Sequence, residues 1–436
     1  VSAQVALPAV DLLAVHRHWP DRWPFLLDSA SQAGPLSRFS LLLCVAEQSA
    51  PLVADASKSL LDSLEDAWQS EQTPQSTEFP FVGGWFVYLG YETVDEIEPR
   101  LLLPSCTSPL PKAMAQRCDA ALVKDHVSQE TWLVAETAAR LDELRNELGS
   151  VASRPGAIPL PDITLSVEPA EQFIEGVQRI KRYILDGDVF QVNLSRRWRG
   201  QARARLDPVE LYGQLARANA APFAGLARFP DATLLSSSPE RLVECRNGLV
   251  QTRPIAGTRP RGQSDEADRA LSAELLAHPK ERAEHVMLID LERNDLGRVC
   301  RPGSVQVDEL MQIESYAHVH HIVSNIRGLL SDDASPIDLI RAVFPGGTIT
   351  GCPKVRCMEI IAELERTGRS FYTGSMGYLG LDGRLDLNIL IRSMLVYHDQ
   401  LEFSTGAGIV ADSIAHAEVE ETEAKAAGLI RALDPV

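Results

Sequence analysis

The chain has 436 residues, 45% of them apolar and 23% charged, with a formal net charge of −18. That length can bury a large core, no apolar run is long enough for a spanning helix, and the acidic balance excludes the basic face that nucleic acid requires. Seven cysteines, none in a CxxC pair, argue against a disulfide framework or a zinc site and fit reduced thiols in a cytoplasmic protein.

Residues Val1 to Pro20 lack a basic segment followed by an apolar one, so no secretory leader is expected. Strands are expected at Phe39–Val45, Phe81–Tyr88 and Ala120–Val127, and a polar helix-like run spans Ala135 to Leu148. Residues 149–163 contain three prolines and read as a linker between an N-terminal region, 1–148, and a catalytic region, 164–436. Beyond it, Leu234–Cys245 and Leu249–Ile255 read as strands joined at Asn247-Gly248, a strong hairpin signal. A helix opens at Pro279 and runs to Leu296 before Gly297; another opens at Gly351-Cys352-Pro353 and runs to Arg366. The last opens after the capping residues Asp412-Ser413 and runs to Leu433.

Several segments carry chemistry. Glu281 and Glu284 share a helical face, as do Glu418, Glu421 and Lys425. Two such helices could build an all-oxygen magnesium site, although spacing alone reads them more readily as solvated faces. A two-residue turn at Asn247-Gly248 sets Glu240 opposite Ile255, next to Ala256 and Gly257. There Glu240 is a general acid if desolvated, or simply an exposed charge at a strand start. Pro345–Gly351 leads into a helix N-terminus suited to an anion, but Cys352-Pro353 stands where a P-loop requires Lys-Ser/Thr. Gly406-Ala407-Gly408-Ile409-Val410-Ala411 matches a dinucleotide fingerprint, yet the helix begins too late for that turn.

Taken together, the order of these segments is specific. It runs Gly187-Asp188-Val189-Phe190-Gln191-Val192-Asn193-Leu194-Ser195, Ser238-Pro239-Glu240-Arg241 and Pro254-Ile255-Ala256-Gly257-Thr258-Arg259. Lys280-Glu281-x-x-Glu284-His285, Asp290-Leu291-x-Arg293-Asn294-Asp295 and Gly351-Cys352-Pro353-Lys354-x-Arg356 follow. Ile391-Arg392, Gly406–Val410 and Glu418-x-x-Glu421-Thr422-x-x-x-Lys425 close the chain. This resembles the chorismate-binding family of anthranilate, aminodeoxychorismate, isochorismate and salicylate synthases, densely over 165–432.

The resemblance implies an α+β fold of two large, mostly antiparallel sheets packed face to face, with helices outside and the site at their mouth. It implies Mg²⁺ on Glu284 and Glu421, supported by Glu281 and Glu418, with chorismate as substrate. Glu240 would be the acid assisting loss of the C4 hydroxyl. Tyr372, Arg392, the Gly406, Ala407 and Gly408 backbone and Lys425 would hold carboxylates, while His321, Thr348 and the Ala256–Thr258 segment would line the ring site. Gln191 stands where water-using members carry a lysine base; an amide cannot act as that base, so ammonia is the expected nucleophile. No segment resembles a glutamine amidotransferase, so a separate amidotransferase subunit is the expected ammonia source.

Among aminating members the resemblance is closest to component I of aminodeoxychorismate synthase, on Phe190–Leu194, Val319–Ser324 and Phe344–Gly351. The alternative is component I of anthranilate synthase, which Ala256 favours: many members of the first kind carry lysine there. Leu27, Asp28, Ser29, Arg38, Phe39, Gly84 and Trp85 resemble the segments around that branch's tryptophan pocket, or else pack as plain core. A non-catalytic or NAD-binding α/β protein is the reading from another class.

Overall fold

A computed structural model describes the chain except residues 1, 9, 32–35, 56, 75–76, 150–157, 316–318 and 435–436. Most of the expected linker therefore lies outside the described residues, and Ile163, its last residue, already opens the strand Ile163–Val167.

The organising element is the strand Ala113–Asp125, longer than its expected Ala120–Val127 core and shared by two sheets. Its first half pairs with Gly84–Leu89 and its second half with Phe39–Val45 and Glu130–Ala135. From Phe39–Val45 one sheet continues through Phe25–Asp28, Phe223–Arg228, Thr233–Ser238, Ser393–Tyr397 and Gln400–Ile409 to Gln191–Ala202. From Gly84–Leu89 the other continues through Ser375–Gly380, Leu385–Asn388, Arg241–Arg246 and Leu249–Thr252 to Val319–Leu329, which Ile255–Pro260 and Gln306–Ser315 also flank. These pairings are all antiparallel. N-terminal strands thus hydrogen-bond directly to strands of the C-terminal region in both sheets.

Alternation along single strands assigns the layers. Phe25, Leu41, Leu43, Phe86 and Tyr88 belong to a core between the sheets. Their neighbours Leu26, Leu42 and Cys44 face one helical layer and Trp85, Val87 and Leu89 face the other. Both faces of these strands are buried, which is why Gly84–Leu89 reads GWFVYL without polar interruption. The α+β architecture of paired sheets between helices is the expected one.

Two expected strands are broken where proline removes a ladder donor. Leu234–Cys245 divides at Pro239-Glu240 into Thr233–Ser238, in the first sheet, and Arg241–Arg246, in the second. Leu249–Ile255 divides at Arg253-Pro254. The hairpin register is as expected where it exists, with Glu244 opposite Gln251 and Cys245 opposite Val250. The 351–366 helix is shorter than expected, Lys354–Glu365, because Gly351-Cys352 forms a strand against Gln191-Val192. The final helix is Ala415–Arg431, capped by Ile414; Ser413 instead accepts from the Val410 N–H. Among the described residues no helix is long and apolar enough to cross a membrane.

Candidate active site

Glu240 sits where the chain crosses from one sheet to the other. A second crossing, from Leu385–Asn388 to Ser393–Tyr397, lies beside it: Ile389 N donates to Glu240 O at 3.0 Å and Ser237 N to Arg392 O at 3.0 Å. Arg392 adopts φ 51° within this crossing, and burial followed by Arg431 lowers its pKa. Glu240 is 5% exposed. Among the described residues its Oε1 has no hydrogen-bond partner, and loss of solvent pushes the carboxyl up to about 7, while Thr348, the Ile255 N–H and Lys425 pull the other way. The expected Glu240–Ile255 neighbourhood therefore exists through the side chain, although the ladder stops before it.

The neighbouring strands bring further residues in. Ile255–Pro260 pairs with Val319–Leu329, and its register shifts between Ala256 and Thr258. Ala256 is buried, and the Thr258 hydroxyl lies 3.0 Å from His321 Nδ1. Burial first, then Arg392, lowers His321 to about 4, so it is neutral at pH 7.

On the Gln400–Ile409 strand, glycines leave room for side chains from three other elements. A Cβ on Gly406 would lie 2.7 Å from both Asn193 Oδ1 and the Tyr372 hydroxyl; one on Gly408 would lie 2.3 Å from Gln191 Nε2 and 3.5 Å from Glu284 Oε1. Lys425 Nζ donates to Gly406 O at 2.9 Å and pairs with Glu421 Oε1 at 2.8 Å. Gln191 Nε2 donates to Glu284 Oε1 at 3.0 Å. Buried Ala407 packs away in the apolar cluster beneath. Glu284 and Glu421, from helices far apart in sequence, thus approach one glycine-lined strand.

The carboxylates supply the hard oxygen donors that suit Mg²⁺, and Glu418 is nearly buried. In donor chemistry and in their approach to the glycine cradle they fit that ion. As placed they are engaged by protein groups: Glu284 by Gln191, Glu421 by Lys425, and Glu281 by Arg259 at 3.4 Å. Among the described residues no three acidic, histidine or cysteine side chains converge as a ready ligand cage.

A separate cavity of about 270 Å³ opens between the sheets, lined by Leu27, Asp28, Ser29, Arg38 and Phe39 and reaching Arg241, the neighbour of Glu240. Gly84 and Trp85 do not line it. Trp85 points to the opposite face of its strand, under Arg117 at 5.1 Å, because alternate residues face opposite layers. Asp28 already accepts from Ser40 at 2.6 Å and Tyr212 at 2.8 Å.

Three residues escaped the sequence reading of the site. Asn193 lies two positions from Gln191, hence on the same strand face. Glu292 lies two helical turns beyond Glu284, and burial pushes it up to about 8, with Glu240 adding to the shift. Arg369 ties the site together, donating to Asn193 O at 2.8 Å, Ile349 O at 3.2 Å and Glu365 Oε1 at 2.7 Å, with Tyr372 5.5 Å away. Periodicity signalled the first two; nothing local signals Arg369.

The model of the chorismate binding enzyme family matches residues 25–431. The anthranilate synthase component I-like protein of Synechocystis sp. is 44% identical over 81% of this chain and 73% of its own length. Aminodeoxychorismate synthase component 1 of Bacillus subtilis is 44% identical over 83% of this chain and 80% of its own length. The crystal structure of anthranilate synthase component I from Streptococcus pneumoniae TIGR4 superposes with a TM-score of 0.79 at 32% identity, over 91% of this chain and 93% of that one.

Proposed function

The chain belongs to the chorismate-binding enzyme family, and within it we propose that this chorismate-utilising enzyme aminates its substrate with ammonia. The observation that carries this is Gln191, which offers an amide, tied to Glu284, and no base able to activate water. Glu240, poised near neutrality, protonates the departing C4 hydroxyl, which leaves as water. Ammonia's lone pair forms the C2–N bond as the ring double bonds shift, and the extra N–H proton is released. Mg²⁺, held by Glu284 and Glu421 with Glu281 and Glu418 in support, would neutralise a substrate carboxylate. Arg392, Tyr372, Lys425 and the Gly406–Gly408 backbone bind carboxylates; His321, Thr258 and Thr348 line the ring.

The first reading of the product is anthranilate, reached when the C2 adduct gives up its C2 proton and its C3–O bond breaks, releasing the enolpyruvyl group as pyruvate. Ala256 offers no nucleophile toward the ring, and most of the similar relatives carry the anthranilate synthase name. The second reading, favoured by the Bacillus subtilis relative and by the Phe190–Leu194 and Phe344–Gly351 segments, is 4-amino-4-deoxychorismate for folate. Under it, ammonia adds at C2 as the C4 hydroxyl leaves, and a second ammonia then forms the C4–N bond as the double bonds shift back and the C2 nitrogen departs as ammonia. Either way, ammonia comes from a glutamine amidotransferase subunit, and the 270 Å³ cavity is the candidate tryptophan site.

The test incubates the purified chain with chorismate, Mg²⁺ and ammonium and separates the products. Fluorescent anthranilate supports the first reading; a product that added lyase converts to 4-aminobenzoate supports the second. Isochorismate, or no consumption of chorismate, refutes amination. Intact-mass analysis should show no covalent adduct of the ring with the protein under either reading.

A further inference from the structure

We propose that the side-chain amides of Gln191 and Asn193 form the seat of the ammonia nucleophile; this rests on the amination reading above. The two residues alternate on one face of the Gln191–Ala202 strand, 3% and 8% exposed. Among the described residues, Gln191 Oε1 and Asn193 Oδ1 have no hydrogen-bond partner, although buried amide oxygens normally find one.

Their placement is fixed from outside. The Gln191 Nε2–Glu284 bond turns its Oε1 into the free acceptor. The Asn193 backbone is held on both sides, its N–H donating to Thr350 O at 2.9 Å and its carbonyl accepting from Arg369 at 2.8 Å. Asn193 Oδ1 and Gln191 Nε2 reach the space over the Gly406–Gly408 strand that a Cβ would fill, and the turn that holds Thr350 also carries Thr348, whose hydroxyl bears on Glu240. The nucleophile seat and the acid thus border the same Gly347–Thr350 turn.

The donor–acceptor arithmetic suits ammonia. Ammonia brings three N–H donors and a single lone pair. Two buried acceptors engage two of the donors and leave the lone pair to face the ring. Neither amide is basic, so a water molecule in the same place keeps both its protons and stays a poor nucleophile.

The test is Asn193→Val in the full chain, with initial rates measured against ammonium at saturating chorismate and Mg²⁺, and against chorismate at saturating ammonium. Loss of one acceptor should raise KM for ammonium about tenfold while KM for chorismate moves less than twofold. Asn193→Ser, which keeps a small acceptor, should fall between; it also serves as the reporter where the valine variant does not fold. An unchanged ammonium KM in a folded variant, or an equal rise in both KM values, overturns the seat while leaving amination standing. A wild-type chain that yields no aminated product overturns both.

Discussion

Glu240 offers the sharpest test of how burial makes this site work. A carboxyl at its ordinary 4.5 is protonated in about 0.3% of molecules at pH 7, whereas one at about 7 is protonated in half, a gain of about 150-fold in the acid form. Glu240→Gln keeps the size and removes the proton donor, and should lower kcat by 10² to 10⁴ with little change in KM for chorismate. The finer test is Thr348→Ala. The Thr348 hydroxyl favours the charged carboxylate, so its removal raises the pKa, and the limb on which kcat falls with rising pH should move to higher pH by roughly half a unit. The assay follows product formation from pH 5.5 to 9 with free ammonia, rather than total ammonium, held constant. A limb that stays in place in Thr348→Ala, or an Glu240→Gln enzyme with more than a tenth of wild-type kcat, would show that Glu240 is not the titrating acid.

Other perturbations probe the surrounding structure. Glu292, raised to about 8 by burial, holds its proton longer folded than unfolded. Its stability contribution is therefore fullest below about pH 4.5 and declines as pH rises through about 8. Glu292→Gln should match wild type at pH 5 and be more stable at pH 9, by on the order of 3 kcal/mol; parallel denaturant midpoints across that range would refute this. Gly408→Ala pushes a Cβ onto the side-chain amide of Gln191, whereas Gly406→Ala meets the Leu194 carbonyl at 2.8 Å. The first should impair ammonium use with a near-normal melting temperature, and the second should also cost about 1–3 kcal/mol of stability. Arg369→Met leaves the buried Glu365 carboxylate without its cation and should cost roughly 3–5 kcal/mol by urea titration.

Much of the fold was legible in short stretches of sequence. Phe39–Val45 is a strand with the expected bounds, Pro279 opens its helix, and Asn247-Gly248 turns its hairpin in the expected register, because alternation, proline at a first turn and left-handed φ at a turn are local properties. The ordered motifs, from Phe190-Gln191 to Glu421-Thr422, were legible as a family resemblance, and the candidate site followed from them. What chain-local patterns could not supply was burial and company. Leu234–Cys245 read as one strand, and only the sheets show that it changes sheet at Pro239-Glu240 and so places Glu240 where water cannot solvate it. Trp85 read equally as a pocket residue or as plain core, and only the layers place it in the core, on the far face of its strand from that cavity. The Gln191–Glu284 bond and the Arg369 cluster join residues 93 and 176 positions apart. Sequence fixes which groups exist and their local geometry, whereas desolvation and through-space pairing depend on which distant segments close around them, and only the tertiary structure decides that.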